Sequence, residues 1–148
     1  MKYSSTVIID LPREKVLELF DNSENMFKWQ EGLQSFDHVS GEAGTEGAVS
    51  KMRYKSKKRE LELQETIMKK NLPEHFNFLY EAKGVQNWND NHFEAISEGQ
   101  TKWTQSNVFK TKGMIKVFAT LMPGMFKKQT RKAMNDFKAF AENEVISN

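Results

Sequence analysis

The chain has 148 residues and no cysteine, which excludes a disulfide framework, a thiol nucleophile and a thiolate metal site. It also lacks any apolar run near the roughly 18 residues that a membrane-spanning helix requires. The opening MKYSSTVIIDLP carries one lysine, but its apolar stretch is too short for a secretion signal, so a cytoplasmic location is the expectation. Charge of one sign is lacking as well. Lys and Arg number 22 against 20 Asp and Glu, a net charge of +2, so no general attraction to nucleic acid follows.

Site chemistry is sparse by the same reading. His38, His75 and His92 stand isolated, without the spacing of metal ligands, and neither a metal nor a cofactor is expected. Gly41, Gly44 and Gly47 lie close together, but neither Gly-Lys-Ser/Thr nor Gly-x-Gly-x-x-Gly is present, and Glu42 and Glu46 would repel a phosphate. This stretch is read as a tight strand connection. No Gly-x-Ser-x-Gly elbow occurs. Glu60, Glu62 and Glu65 match no metal pattern and are expected to face water.

What is present suits one globular domain over residues 1–148, with 38% hydrophobic and 28% charged residues. Tyr3 to Asp10 predicts a strand rich in β-branched residues. Pro12 then fits the first turn of a helix whose apolar face is Val16, Leu17, Leu19 and Phe20. A second short helix is predicted at Ser23 to Gln30, ended by Glu31-Gly32. Strands follow at Leu33–Val39, Ala48–Lys55, Glu60–Lys69, His75–Tyr80, Val85–Ile96 and Thr101–Lys110. Short turns join them, at the spacing of an antiparallel meander. The turn Lys55-Ser56-Lys57-Lys58-Arg59 is strongly cationic and reads either as a solvated hairpin tip or as a contact for an acidic protein partner.

The last third, Gly113 to Glu144, has helical periodicity. Met114, Val117, Phe118, Leu121 and Met125 continue into Ala133, Met134, Phe137, Phe140 and Ala141. Such a stripe must lie on something large and apolar, and the strands before it are the candidate. Met122-Pro123-Gly124 interrupts the pattern, either as a kink or as a break between two helices.

Two strands carry an unusual polar signal. If Phe93 and Trp103 face inward, alternation turns Asn87, Asn89, Asn91, Gln105 and Asn107 inward too, where a cavity with water or a polar ligand group would satisfy them. The opposite phase turns Trp88, Asp90 and His92 inward instead. Asp90 and His92, about 7 Å apart along a strand, are then the candidates for acid–base catalysis.

In order and spacing the chain resembles the START-like (SRPBCC) superfamily, in particular its polyketide cyclase/dehydrase and lipid transport group. The resemblance rests on the opening strand followed by Leu11-Pro12-Arg13-Glu14-Lys15-Val16-Leu17-Glu18-Leu19-Phe20, then Asn25-Met26-Phe27-Lys28-Trp29-Gln30, then the Gly41 to Gly47 connection. Gly99-Gln100-Thr101-Lys102-Trp103 and the closing helix complete it. It implies an α+β helix-grip fold: a curved antiparallel sheet of about seven strands, two short helices after the first, and a long C-terminal helix over a cavity. The implied function is binding, and by extension transport, of a small hydrophobic or amphipathic molecule. The expected apolar wall is Phe76, Phe78, Trp103, Phe109, Phe118, Met122 and Met125, with Asn89, Asn91, Gln105 and Asn107 orienting the polar end. The alternatives are a cyclase or dehydratase using His92 and Asp90, and a module related to heat-shock ATPase activators that meets an acidic partner through the Lys55–Arg59 tip. Oligomeric state is open.

Overall fold

The computed structural model describes the backbone of residues 1–147 and the side chains of residues 1–145. Strand β1 (Lys2–Ile9) leads into helix α1 (Arg13–Phe20), a single 3-10 turn (Ser23–Asn25) and the short helix α2 (Met26–Trp29). Six strands follow: β2 (Leu33–Ser40), β3 (Val49–Ser56), β4 (Arg59–Asn71), β5 (His75–Ala82), β6 (Val85–Ser97) and β7 (Gln100–Thr111). Helices α3 (Met114–Leu121) and α4 (Gly124–Ser147) close the chain. The break at Met122-Pro123 therefore separates two helices, as expected where proline cannot supply a helical N–H.

All seven strands form one antiparallel sheet in the order β1-β7-β6-β5-β4-β3-β2. Strands β2 to β7 are a meander, and β1 closes the far side by pairing with β7, Val7 opposite Trp103 and Ile9 opposite Thr101. Local signals hold the first helices in place. The Asn22 side chain accepts from the Glu24 amide at 3.0 Å, and the buried Asn25 donates to the Leu19 carbonyl at 3.1 Å, tying the turn back onto α1.

Helix α4 packs along β1 and touches α2. The Tyr3 hydroxyl fixes this docking, donating to the Phe126 carbonyl at 3.0 Å and lying 2.6 Å from the Thr130 hydroxyl. Farther along, the Asp10 amide donates to Glu142 at 3.2 Å. Between α1, α4 and the β1–β7–β6 side lies the main core, built on Ile9, Val16, Leu19, Phe93, Trp103 and Phe137. Phe20 is its hub, meeting Phe93, Trp103 and Phe137 edge-to-face at 5.1, 5.3 and 5.5 Å. Edge-to-face contact sets the positive ring edge against a negative ring face.

One glycine makes the other end possible. Gly84, at φ +82°, turns β5 into β6, and a Cβ there would lie 3.0 Å from the Lys112 carbonyl oxygen and 3.2 Å from the Ile115 side chain. Only glycine lets the start of α3 rest on this turn.

Candidate functional site: a cavity with an amide ring and a buried carboxylate

The inward face of β3, β4 and β5 is not covered by α4, and a cavity of about 960 Å³ remains there. Phe20, Trp29, Phe76, Phe78, Phe109 and Phe126 supply its aromatic wall. Phe76, Phe78 and Tyr80 stack in sequence along β5, with centroids 4.4 and 5.6 Å apart. Phe109 and Phe126 stack at 4.8 Å where β7 meets the start of α4.

Along β6 and β7 the amides turn inward. Asn87, Asn89, Asn91 and Gln105 line the cavity, and Asn107 lies buried among them. Four of these side chains form a closed ring of hydrogen bonds. Asn91 donates to Asn89 at 2.8 Å, Asn89 to Asn107 at 2.9 Å, Asn107 to Gln105 at 3.2 Å and Gln105 to Asn91 at 2.9 Å. Asn87 adds a bond to Asn107 at 3.0 Å. The ring is anchored below by the buried indole of Trp103, which donates to Asn91 at 2.9 Å, and sideways by Asn91 donating to the Phe76 carbonyl at 3.1 Å. The ring follows from strand register, since Asn89 stands opposite Asn107 and Asn91 opposite Gln105. Asn91 spends both N–H groups and both lone pairs within the protein, whereas Asn89 and Gln105 each keep one N–H and one lone pair for the cavity.

On β4 the parity of Leu61, Leu63, Glu65 and Ile67 points into the same space, and all four line it. Glu65 is buried, at 5% exposure, between Ser50 of β3 and Tyr80 of β5 in the strand ladder. This corrects the expectation that Glu65 faces water; Glu60 and Glu62, on either side of Leu61, are exposed. The signal was its parity, shared with three apolar residues. Burial pushes the Glu65 carboxyl up to about 7, partly offset by the Tyr80 hydroxyl as a hydrogen-bond partner. Burial likewise raises Tyr80 and Tyr54, and the nearby Glu65 charge raises both further. Tyr54 donates its hydroxyl to Gln30. No cation contributes to holding Glu65 ionised. The indole N–H of Trp29 is a buried donor without a partner. At the rim, Lys132 bridges Glu31 at 2.6 Å and Asp136 at 2.8 Å, linking α4 to the segment after α2.

The remaining sequence candidates lie elsewhere. Trp103 is beneath the ring rather than on the cavity surface. Phe118, Met122 and Met125, expected in the apolar wall, do not line the cavity. The chain breaks after α3, and their helical face turns to solvent. Asp90 and His92 take the parity opposite to the inward asparagines. Asp90 instead meets the His75 Nδ1 at 2.9 Å, and the His92 Nδ1 lies 3.0 Å from the Glu74 carbonyl. They do not form the pair that acid–base catalysis in the cavity needs. The Lys55–Arg59 turn is exposed, with Lys57 at φ 52°. Among the described residues no three His, Asp or Glu side chains gather as metal ligands, and no helix is long and apolar enough to cross a membrane.

A closing helix gripped by a seven-stranded antiparallel sheet, two short helices inserted after the first strand and a cavity between them decide the architecture. This is a helix-grip fold. Neither a protein-family model nor a curated protein sequence matches the chain. Solved structures do. A conserved protein from Geobacillus kaustophilus superposes with a TM-score of 0.80 at 14% identity, covering 97% of this chain and 96% of that one. The Zhui aromatase/cyclase from a Streptomyces species gives 0.78 at 11% identity, covering 98% and 95%. Norcoclaurine synthase from Thalictrum flavum, in complex with dopamine and hydroxybenzaldehyde, gives 0.73 at 11% identity, covering 97% and 87%. At these identities the likeness is one of helix-grip fold, and function has to be argued from the site.

Proposed function

We propose that the chain binds a small amphipathic molecule in the cavity, its apolar body against Phe20, Phe76, Phe78 and Phe109 and its polar end between the amide ring and Glu65. The observation that carries this reading is a buried carboxylate, facing a large aromatic-walled space, with no cation of its own. Such a group is costly to ionise unless a ligand completes it. A protonated amine fits best. It would pair with the Glu65 carboxylate beside the Tyr80 hydroxyl. Carriage of the molecule between partners is the extension of this reading that the fold permits.

The test compares two probes of the same shape, tryptamine and its uncharged counterpart tryptophol, by calorimetry at pH 5 and pH 8. The amine is expected to bind at least tenfold tighter at pH 8 than at pH 5, because Glu65 loses its proton through about 7, with tryptophol unchanged. In Glu65→Gln the pH dependence should vanish while tryptophol still binds. If neither probe nor larger neutral aromatics bind, the cavity reading is wrong. If both bind alike at both pH values, the role of Glu65 is wrong.

One observation favours a second, enzymatic reading. A carboxyl near neutrality, hydrogen-bonded to the Tyr80 hydroxyl, is suited to taking and returning a proton, and two of the solved structures above are named as enzymes. That reading moves the catalytic residue from His92 and Asp90 to Glu65. It requires turnover of a bound carbonyl substrate that Glu65→Gln abolishes without loss of binding.

A further inference from the structure

Helix α3 has two apolar faces, and only the narrow one is used. Ile115 rests against Gly84, and Ala119, one turn on, is buried. The broad face, repeating at helical spacing through Met114, Val117, Phe118, Leu121 and Met122 and on to Met125 after the break, is open to solvent. Met114 is 80% and Leu121 76% exposed, and the other four are 40–50% exposed. Large apolar side chains scattered singly on a surface are ordinary, but four on one helical face, followed at once by Met122 and Met125, are not.

The stretch of chain that carries this face has charge of one sign. No acidic residue stands between Glu98 and Asp136, although acids and bases nearly balance over the whole chain. Lys112 and Lys116 flank the face before the break, and Lys127, Lys128 and Arg131 follow it, all exposed. An exposed apolar helical face bordered by cations is the arrangement that lies in the interface of an anionic bilayer, apolar side chains among the acyl chains and ammonium groups at the phosphates. An acidic protein groove would offer the charge, but the broad methionine- and leucine-rich face asks for a continuous apolar phase.

We propose that α3 docks this end of the protein onto an anionic lipid surface. The position adds a consequence. Ile115 sits on the β5–β6 turn at Gly84, whose neighbours Ala82 and Val85 line the cavity. Docking through α3 would set that end of the cavity against the bilayer. The docking itself stands on the surface alone and does not depend on what the cavity holds.

The experiment is co-flotation of the full chain with vesicles of phosphatidylcholine, pure or with 30% phosphatidylglycerol. Binding to the anionic vesicles should exceed binding to the neutral ones at least tenfold and fall at least tenfold in 0.5 M salt. Leu121→Glu, at a site too exposed to disturb folding, should lose binding at least tenfold with an unchanged circular dichroism spectrum. Lys127→Glu with Lys128→Glu should lose the anionic preference. Equal binding to both vesicles, no binding, or a Leu121→Glu variant that floats like the parent overturns the proposal. A parent that is dimeric at micromolar concentration, becomes monomeric on Leu121→Glu and ignores vesicles overturns it in favour of a second copy.

Discussion

Under one concave sheet, the β1–β7–β6 side and the β5–β4–β3 side meet different partners. On the first, α4 and α1 lie against the strands, and Phe93, Trp103, Val16, Met134 and Phe137 are fully enclosed. On the second, Phe20 of α1 reaches Phe76, while α2 and α4 border the cavity without lying along the strands. The inward positions are equally aromatic, yet Tyr54 and Tyr80 are only half-buried, Leu61 is 50% exposed, and a carboxylate stands among them. A straight helix covers only part of a twisted, curved sheet. On the uncovered part Ala48, Ile67, Phe76 and Phe78 make only a small second cluster, and the core-like side chains around it border open space, which is what makes it a site. The amide ring lies on the border, tied to the closed side through Trp103 and to the open side through the Phe76 carbonyl.

The sharpest way to break this comparison is to truncate one ring on each side. Phe137→Ala, removing a side chain with no exposure and three edge-to-face partners, should cost about 3–5 kcal/mol in urea unfolding. Phe78→Ala should cost about half of that or less, because one side of its ring already faces open space. Equal losses would mean that the second side is packed as tightly as the first.

Glu65→Gln probes the open side alone. The Glu65 carboxyl lies at about 7 in the fold against 4.5 for an ordinary glutamate, so between these values the folded chain holds a proton that the unfolded chain has released. Its contribution to stability is fully present below about 4.5 and is lost as pH rises through 7. The whole span is about 3 kcal/mol. Glu65→Gln should therefore flatten the fall in stability between pH 5 and pH 8 and be the more stable protein at pH 8, as read from unfolding midpoints. A parent whose stability does not fall over that range would show that Glu65 is solvated.

At the border, Asn91→Leu opens the ring and strands the buried Trp103 N–H, and should cost about 2 kcal/mol. Gln105→Leu should cost less, because only the ring amides depend on Gln105. The smallest effect belongs to the rim. Lys132 is half exposed, so Lys132→Ala should leave the unfolding midpoint nearly unchanged despite two ion pairs. A larger loss would make the rim part of the folded core.

Most of the architecture was legible because each strand alternates and α1, α3 and α4 carry helical stripes. The inward phase of Asn87, Asn89 and Asn91 was legible only conditionally, through Phe93 and Trp103. The ring was not. Ser97 pairs with Gln100, and a plain hairpin continuing from that pair would set Asn91 opposite Ser106. A shift between Ala95 and Ser97 moves the register by one residue and brings Gln105 opposite Asn91 instead, and nothing local in the chain announces it. Glu65 was missed for a different reason: residue type was weighed above parity. The exposed face of α3 was visible as a stripe, but periodicity says which residues share a face and not which face meets the protein.

The most direct test of the account is a titration of isotope-labelled protein with tryptophol, followed by nuclear magnetic resonance. Saturable shifts at Glu65, Phe76, Phe78, Tyr80 and the side-chain amides of Asn89 and Gln105, with Ile9, Val16 and Met134 unmoved, are the predicted result. Shifts confined to the outer face of the sheet, or spread equally through both sides, would contradict it.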